Sequence, residues 1–167
     1  CKTNKYGKTN FFENQENLIL KYTEQVFEYL PKESSEVNLI PVQYFGKVSQ
    51  QMEFFSKPWL LDVPDIVKND CYDVVLIDGP SGFLPDDPGR MEAAYFSVET
   101  AKRCILENKL DSVYIFLHDV ERDLERTIID RFFWEGELSV KVEGEWGELT
   151  GWKFNRDTLS LKNNYLP

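Results

Sequence analysis

Two short, unbroken apolar runs stand out in the pattern of hydrophobic and polar positions along the chain. VVLI lies within residues 72–78, and VYIFL spans residues 113–117. Strands with one solvated face alternate apolar and polar residues, whereas strands covered on both faces are continuously apolar. The two runs therefore predict central strands of a parallel sheet, each covered on both faces.

A helix is predicted between these two strands, because Asp87 is a suitable capping residue and Pro88 suits the first helical position. The apolar residues that recur on one face of this helix are Met91, Ala94, Tyr95, Val98, Ala101 and Ile105. Strand, helix and strand in this order predict a right-handed crossover unit. A second helix is predicted to cover one face of the sheet. Its apolar residues recur at spacing four and are Val120, Leu124, Ile128 and Phe132.

A further strand, helix, strand unit is predicted upstream. Residues 9–12 and 37–44 are its predicted strands, and the helix lies between them. The apolar residues at helical spacing are Leu18, Tyr22, Val26, Tyr29 and Leu30. Pro41 lies inside the second strand and cannot donate a hydrogen bond to a neighbour. The strand over residues 37–44 is therefore predicted at an edge of the sheet.

The pattern changes downstream, where Leu138, Val140 and Val142 alternate with polar residues. The EGEWGE segment that follows predicts a turn, and residues 149–154 predict a second strand, so the chain is expected to end in an antiparallel hairpin.

No repeat or linker interrupts the sequence, and residues 1–167 are predicted to form a single α/β domain. A mostly parallel sheet with a terminal hairpin is the topology of S-adenosylmethionine-dependent methyltransferases, although topology alone does not establish function.

Composition and charge narrow the classes of function. The chain has 167 residues, of which 42% are hydrophobic and 14% aromatic, which is enough for a buried core. Its 19 basic and 29 acidic residues give a net charge of −10. A surface of that charge repels nucleic-acid phosphates and anionic lipids, which excludes nucleic acid as a main partner. No apolar run approaches the roughly 18 residues of a membrane span, and the first residues do not resemble a signal peptide.

The three cysteines, Cys1, Cys71 and Cys104, form neither an even disulfide framework nor a closely spaced metal pair. Cys104 falls at helical spacing among apolar neighbours. We interpret it as a buried thiol that acts as a small hydrophobic side chain. The cysteines therefore do not identify a redox compartment.

Polar residues follow three of the predicted strands at the points where the strands end. They are Glu13 and Asn14 after the first strand, Asp78 and Gly79 after VVLI, and His118 and Asp119 after VYIFL. In an open parallel sheet, ligands bind outside the carboxyl ends of the strands, where loops and helix N-termini converge. These residues are therefore the candidates for a functional site.

Asp78 and Asp119 should meet at one rim if the two central strands are neighbours. Two unpaired carboxylates repel each other, so a proton or a divalent cation with oxygen ligands is expected between them. Ordinary turn formation by the DGP string is the alternative for Asp78. His118 is the only histidine and a candidate general base that a neighbouring carboxylate can orient. A hydrogen-bonded structural histidine is the alternative.

Glu13 has two carboxylate oxygens, which suit the two hydroxyls of a ribose. The alternative is helix capping near residue 16, for which Asn14 is the better residue.

Arg90 is the only cation in the loop over residues 81–91. Its planar fork of donors suits a carboxylate or sugar hydroxyls. The alternative is a surface ion pair with Asp86, Asp87 or Glu92.

Several strings in this region occur together in a specific order and spacing. DGPSG and DPGRM lie in YDVVLIDGPSGFLPDDPGRMEAAYFSVETAKRC, and HDVER lies in VYIFLHDVERDLER. The combination resembles the plant-type polysaccharide biosynthesis family that includes glucuronoxylan 4-O-methyltransferase and arabinogalactan-methylating relatives. Weaker similarity extends back through VQYFGKVSQQMEFF to TNFFENQENLI and forward to the hairpin.

This resemblance implies a Rossmann-like, S-adenosylmethionine-dependent O-methyltransferase that acts on the 4-hydroxyl of glucuronic acid in a polysaccharide. The implied partner is an acidic polysaccharide or oligosaccharide, and the implied compartment is the Golgi lumen if an anchor lies upstream. The implied cofactor-binding residues are Glu13, Asn14, Asp78 and Gly79. The implied catalytic residues are Asp78, His118 and Asp119, with Arg90 and Arg122 facing the substrate. A more distant similarity to metal-dependent catechol-type enzymes implies Asp78 and Asp119 as metal ligands.

The chain departs from the family pattern at its start. Members of this fold carry a first strand and a glycine-rich cofactor loop before the acidic strand end, and CKTNKYG supplies no such loop. Because that strand would be central, we expect upstream sequence to be missing. The alternative is a degenerate relative that serves as a non-catalytic structural or assembly subunit in a larger assembly. A carbohydrate-binding module that uses aromatic side chains is a third interpretation.

Overall fold

The computed structural model describes residues 8–15, 36–145 and 147–163. The chain forms two compact units, Cys1–Tyr44 and Phe45–Pro167. The first unit contains a two-stranded sheet, and the second contains a four-stranded sheet and all the helices of the described residues. That residues 1–167 form a single domain stays a prediction.

The unit Cys1–Tyr44 is built around two parallel strands, β1 (Lys8–Glu13) and β2 (Glu36–Pro41). Parallel strands need a long crossover connection, and the helix predicted over residues 18–30 lies outside the described residues. Pro41 occupies the last position of β2, so its missing N–H disrupts no interior ladder bond. The strand predicted over residues 37–44 ends at Pro41, three residues earlier than expected. Among the described strands, β2 pairs only with β1.

The unit Phe45–Pro167 contains a mixed sheet in the order β3-β4-β6-β5. The strands are β3 (Val74–Ile77), β4 (Ser112–His118), β5 (Glu137–Gly144) and β6 (Gly147–Asn155). The predicted parallel pairing of the two apolar runs is confirmed, since β3 pairs with β4 in parallel. The terminal hairpin is confirmed as well: β5 and β6 are antiparallel, and β6 also pairs with β4.

Helices connect and cover these strands. They are α1 (Gln51–Ser56), α2 (Asp65–Lys68), α3 (Met91–Leu106), α4 (Asp123–Ile128) and α5 (Arg156–Asn163), with a 3-10 turn at Val48–Gln50 and a π-helical turn at Ile129–Phe133. In the parts of the chain that the structure describes, none of them has both the length and the apolar character needed to cross a bilayer.

The start of α3 differs from the prediction. The helix begins at Met91, with Arg90 at the N-cap position, and Asp87 does not cap it. The Asp87 carboxylate instead accepts hydrogen bonds from Ser81 Oγ (2.7 Å) and from two backbone N–H groups of the same loop. A short polar side chain can serve a loop as well as a helix end, and here the loop has the donors within reach.

The core of this unit lies between α3 and one face of the sheet. Ile115 and Leu117 of β4 are fully buried and belong to one hydrophobic cluster with the apolar face of α3. The prediction that both faces of the apolar runs are covered is wrong for β3, where Val74 and Leu76 are 61% and 63% exposed. The sequence of β3 is continuously apolar, but the described residues cover only one of its two faces.

A disulfide joins Cys71 to Cys104 and corrects our interpretation of Cys104 as a free thiol. It links the segment before β3 to the last turns of α3. The two cysteines are 33 residues apart, so a pattern of close spacing could not reveal the pair. Closing a loop of this length stabilises the fold chiefly by restricting the unfolded chain.

Candidate functional site

The site is built at the carboxyl ends of the neighbouring strands β3 and β4. Ile77 and Leu117 are partners in the ladder, so the residues that follow them lie at the same rim. His118 Nδ1 lies 2.9 Å from Asp78 Oδ1 and 3.1 Å from Asp119 Oδ1. The structure therefore brings together Asp78, His118 and Asp119, as the strand order predicts, while their chemical roles stay predictions.

Two unusual backbone positions shape this rim. Asp119 adopts a φ of 60°, a left-handed conformation that Asp and Asn tolerate better than most residues. Gly147, at the start of β6, has a φ of 121°. A Cβ atom at Gly147 would lie 2.7 Å from Asp119 Oδ1 and 3.3 Å from His118 Nε2. Glycine is therefore needed where the hairpin approaches the site.

Arg90 lies beneath the rim and is buried, with a side chain that is 5% exposed. Its Nη2 donates to Asp119 Oδ2 at 2.8 Å, and its Nη1 donates to the His118 carbonyl oxygen at 2.9 Å. Nη1 also contacts Glu125 Oε1 at 3.3 Å, and Nη2 lies 3.6 Å from Asp78 Oδ1. Its terminal nitrogens are thus occupied by groups that form the site.

The alternative that Arg90 pairs at the surface with neighbouring acids is wrong. Asp86 pairs with Lys47 at 2.9 Å, and Asp87 organises its own loop. Glu92 is buried and accepts hydrogen bonds from the Trp59 indole and the Phe45 backbone. The three acidic residues near Arg90 in sequence therefore contact groups other than Arg90.

Arg122 approaches the same carboxylate from the open side. Its Nη2 lies 2.6 Å from Asp119 Oδ2, and its side chain is 27% exposed. The Arg122 guanidinium carbon also lies 4.0 Å from the centre of the Phe83 ring, a cation–π contact. Sequence reasoning did not select Phe83. The signal available was an apolar FL pair inside a loop rich in Gly, Pro and Asp.

Glu125, on α4, is a second residue that sequence reasoning missed. Its side chain is buried, and burial raises the pKa of Glu125 because it disfavours the charged form, while the positive charge of Arg90 acts in the opposite direction. Its Oε2 has no hydrogen-bond partner among the described residues. The sequence gives Glu125 no distinguishing motif, since it is one acid among several in HDVERDLER.

The donor atoms at the rim fit a divalent cation. The two carboxylate oxygens of Asp119 have different partners. Oδ2 contacts Arg90 and Arg122, and Oδ1 lies near His118 Nδ1. One donor atom from each of Asp78, His118 and Asp119 lies within 4.8 Å of the others. Ligands at right angles around an ion with bonds of about 2.1 Å are separated by about 3 Å, close to the two distances from His118 Nδ1 to the Asp78 and Asp119 oxygens. His118 Nδ1 makes no well-directed hydrogen bond within the described residues.

Of the other predicted cofactor residues, Glu13 and Asn14 lie in the unit Cys1–Tyr44, whereas Gly79 directly follows Asp78. Glu13 Oε1 accepts hydrogen bonds from the backbone N–H groups of Asn14 (2.8 Å) and Gln15 (2.9 Å). These contacts are local, and the helix that Glu13 or Asn14 is predicted to cap lies outside the described residues. A Cβ atom added at Gly79 would meet no atom within 4 Å, so the space beside it is open. The cofactor roles of Glu13, Asn14, Asp78 and Gly79 stay predictions.

Comparison with known proteins identifies the family. The model described as IRX15/IRX15L/GXM matches residues 47–147. Protein IRX15-LIKE of Arabidopsis thaliana is 30% identical over 150 residues, which cover 77% of this chain and 44% of the relative. Arabinogalactan O-methyltransferase 2 of the same plant is 34% identical over 77 residues, covering 46% and 25%. Glucuronoxylan 4-O-methyltransferase 1 is 31% identical over 85 residues, covering 51% and 29%.

The chain spans less than half the length of each of these relatives. No solved structure matches it. The matched residues 47–147 include the whole rim, from Asp78 to Arg122. The family resemblance seen in the motifs is therefore confirmed, and the chain belongs to the IRX15/IRX15L/GXM family.

Proposed function

We propose that this chain provides the catalytic rim of an S-adenosylmethionine-dependent O-methyltransferase that acts on a sugar hydroxyl, the 4-hydroxyl of glucuronic acid in a polysaccharide. The observation that carries the proposal is the convergence of Asp78, His118 and Asp119 at the carboxyl ends of two parallel strands. Two relatives are named as O-methyltransferases of arabinogalactan and glucuronoxylan, which supports the reaction and the substrate class.

His118 is the proton acceptor in this proposal. A sugar hydroxyl must lose its proton as its oxygen attacks a methyl group, and a histidine beside a carboxylate suits that task. Asp78 and Asp119 lie 2.9 and 3.1 Å from Nδ1, so their negative charge favours a proton on Nδ1 and leaves Nε2 to take the proton of the hydroxyl. S-adenosylmethionine supplies the methyl group on a positively charged sulfur.

A divalent metal is the second way in which the same residues could activate the hydroxyl. Asp78, His118 and Asp119 would hold the ion, which lowers the pKa of a hydroxyl bound to it. Both routes require His118 and Asp119. They differ in their response to chelation: a protein stripped with a chelator keeps its methyl transfer if His118 acts alone, and recovers it only with added divalent ions if a metal takes part.

The cofactor and substrate roles divide between the remaining residues. We assign Glu13, Asn14, Asp78 and Gly79 to the cofactor. Two observations support this assignment. The space beside Gly79 is open. Both backbone hydrogen bonds of Glu13 go to Oε1 and neither goes to Oε2. The family resemblance implies that Arg90 and Arg122 face the substrate. We assign that role to Arg122, whose side chain is 27% exposed. We assign Arg90 a positioning role instead, because its terminal nitrogens contact Asp119, Glu125 and the His118 carbonyl group.

Partners and compartment follow from the same proposal. The partner is an acidic polysaccharide or oligosaccharide. The disulfide between Cys71 and Cys104 supports an oxidising compartment, such as the Golgi lumen that the family resemblance implies.

A non-catalytic structural or assembly role is the second candidate. Protein IRX15-LIKE, whose name states no activity, matches a larger share of this chain than either named methyltransferase does. In addition, Asp119 Oδ2 is already paired with Arg90 and Arg122, an arrangement that would also suit a purely structural ion-pair network.

Cofactor binding and methyl transfer by the full-length protein separate the two candidates. The enzyme proposal predicts saturable binding of S-adenosylmethionine by calorimetry and transfer of a labelled methyl group to glucuronate-bearing oligosaccharides. Asp78→Asn should abolish transfer, whereas Asp65→Asn, an exposed acid on α2, should leave it unchanged. Absence of both cofactor binding and transfer in the parent protein would favour the non-catalytic role.

A further inference from the structure

Phe83 is an exposed aromatic side chain on a loop whose backbone is fixed. The residue is 72% exposed. The Asp87 carboxylate accepts hydrogen bonds from the backbone N–H groups of Phe83 (2.9 Å) and Leu84 (3.0 Å). The Gly89 N–H donates to the Ser81 carbonyl oxygen at 2.8 Å and closes the loop. The structure thus holds Phe83 at a defined place in solvent.

Single exposed phenylalanines are common and need no function. Phe83 differs because its ring lies against Arg122, whose guanidinium carbon is 4.0 Å from the ring centre. Arg122 is held at a second point by Asp119 Oδ2, which lies 2.6 Å from Nη2. A planar guanidinium that is fixed at one face and at one terminal nitrogen has a defined orientation, so the directions in which its other N–H groups donate are defined as well.

The open position of Arg122 distinguishes it from Arg90. Both contact Asp119 Oδ2, but the Arg122 side chain is 27% exposed and that of Arg90 only 5%. Of the two, Arg122 is therefore the arginine that a ligand can reach. A chain with a net charge of −10 repels an anionic ligand at long range. An anion bound at this rim consequently needs a local, well-oriented cation.

We propose that Phe83 is a positioning residue that orients Arg122 for the carboxylate of an acidic sugar, so that the pair selects a uronate over a neutral sugar. The sugar part of this inference rests on the proposed function. The selection itself is a matter of charge and geometry. Arg122 donates to the carboxylate, a planar acceptor that matches its fork, and Phe83 keeps the fork in place without contacting the carboxylate.

The test is a binding measurement that needs neither cofactor nor turnover. Calorimetry on the full-length protein compares a xylo-oligosaccharide that carries one glucuronic acid with the same compound after its carboxyl group has been reduced to an alcohol. The ratio of the two affinities measures selection for the carboxylate. We expect the parent protein to favour the acidic compound, and Arg122→Gln to lower the ratio by about tenfold, the scale of a charge-assisted hydrogen bond.

Phe83 variants test the positioning role. Phe83→Leu keeps an apolar side chain but loses the aromatic face, and should lower the ratio by about two- to fivefold, the scale of an exposed cation–π contact. Phe83→Tyr should preserve it. Leu84→Ala, which changes the neighbouring exposed side chain, is the matched control and should leave the ratio unchanged.

The outcomes separate this inference from the proposed function. Equal affinity of the parent protein for the two compounds, absence of binding to both, or an unchanged ratio in Phe83→Leu would overturn it, even if methyl transfer is observed. A ratio that falls in Phe83→Leu and Arg122→Gln supports it, even if no methyl transfer is found.

Discussion

Asp119 pairs with two arginines in different environments: Arg90 on its inner, buried side and Arg122 on its outer, more exposed side. On the inner side, Arg90 and Glu125 are both buried, with side chains 5% and 1% exposed. On the outer side, Arg122 is 27% exposed and Phe83 is 72% exposed. A buried ion pair is costly to break because the remaining charge has no water to stabilise it, and the cost falls as the partner becomes more accessible to water. We conclude that the inner side holds the rim together and the outer side is available to a ligand.

The largest effect should come from removing the buried cation. Arg90→Ala leaves Asp119 and Glu125 without their common partner, and breaking a buried pair in this way costs about 3 to 5 kcal/mol. Arg122→Ala removes an equal charge from the outer side and should cost less, because Arg122 is 27% exposed and Asp119 keeps Arg90 as its partner. Urea unfolding of the two variants measures the difference. Equal losses of stability would show that the two sides of Asp119 do not differ in this way.

The disulfide should have the next largest effect on stability. Its loop spans 33 residues, for which chain entropy gives a stabilisation of about 3 to 4 kcal/mol at most. Thermal unfolding of the variants Cys71→Ser and Cys104→Ser should show a similar lowering of Tm for both. A reducing agent should lower the Tm of the parent protein but not that of the two variants. If reduction leaves the Tm of the parent unchanged, the bond does not stabilise the fold.

The smallest effect on stability should come from Glu125, and it should depend on pH. Because burial raises its pKa above the ordinary value of 4.5, the folded state binds the Glu125 proton more tightly than the unfolded state does. This group's contribution to stability is therefore fully present below pH 4.5 and is lost as pH rises through the raised pKa. Glu125→Gln should flatten that part of the profile, and it should lose less stability than the parent protein between acidic and neutral pH.

The matched control for Glu125 is Glu107, an exposed acid whose pKa is lowered, chiefly by its hydrogen bond with Lys109. Glu107→Gln should leave the loss of stability between acidic and neutral pH in place. Denaturant unfolding at several pH values measures both variants. A parent-like profile for Glu125→Gln would mean that Glu125 is not the group responsible.

The parallel pairing of β3 with β4 and the terminal hairpin could be predicted because each depends on a local pattern, a continuous apolar run or strict alternation. The meeting of Asp78 with Asp119 followed, since parallel neighbours end at one rim. These successes share one cause: the information lies within a strand and the residue that follows it.

What the sequence did not reveal depends on contacts between distant segments. Cys71 and Cys104 pair across a separation of 33 residues, and Glu125 meets Arg90 only after both elements pack beneath the rim. Asp87 was predicted to cap a helix because its type fits a cap, but the donors nearest to it belong to its own loop. The apolar character of Val74 and Leu76 likewise does not specify which surface covers them.

The central claim is that the rim performs methyl transfer and that His118 takes the proton or holds the metal that replaces it. The most direct measurement is the rate of methyl transfer by His118→Gln to a glucuronate-bearing oligosaccharide, with S-adenosylmethionine affinity measured on the same protein. We predict a loss of rate of about 10²-fold or more, the scale of general-base catalysis, at an unchanged cofactor affinity. A His118→Gln variant that transfers methyl groups as fast as the parent protein would contradict the account.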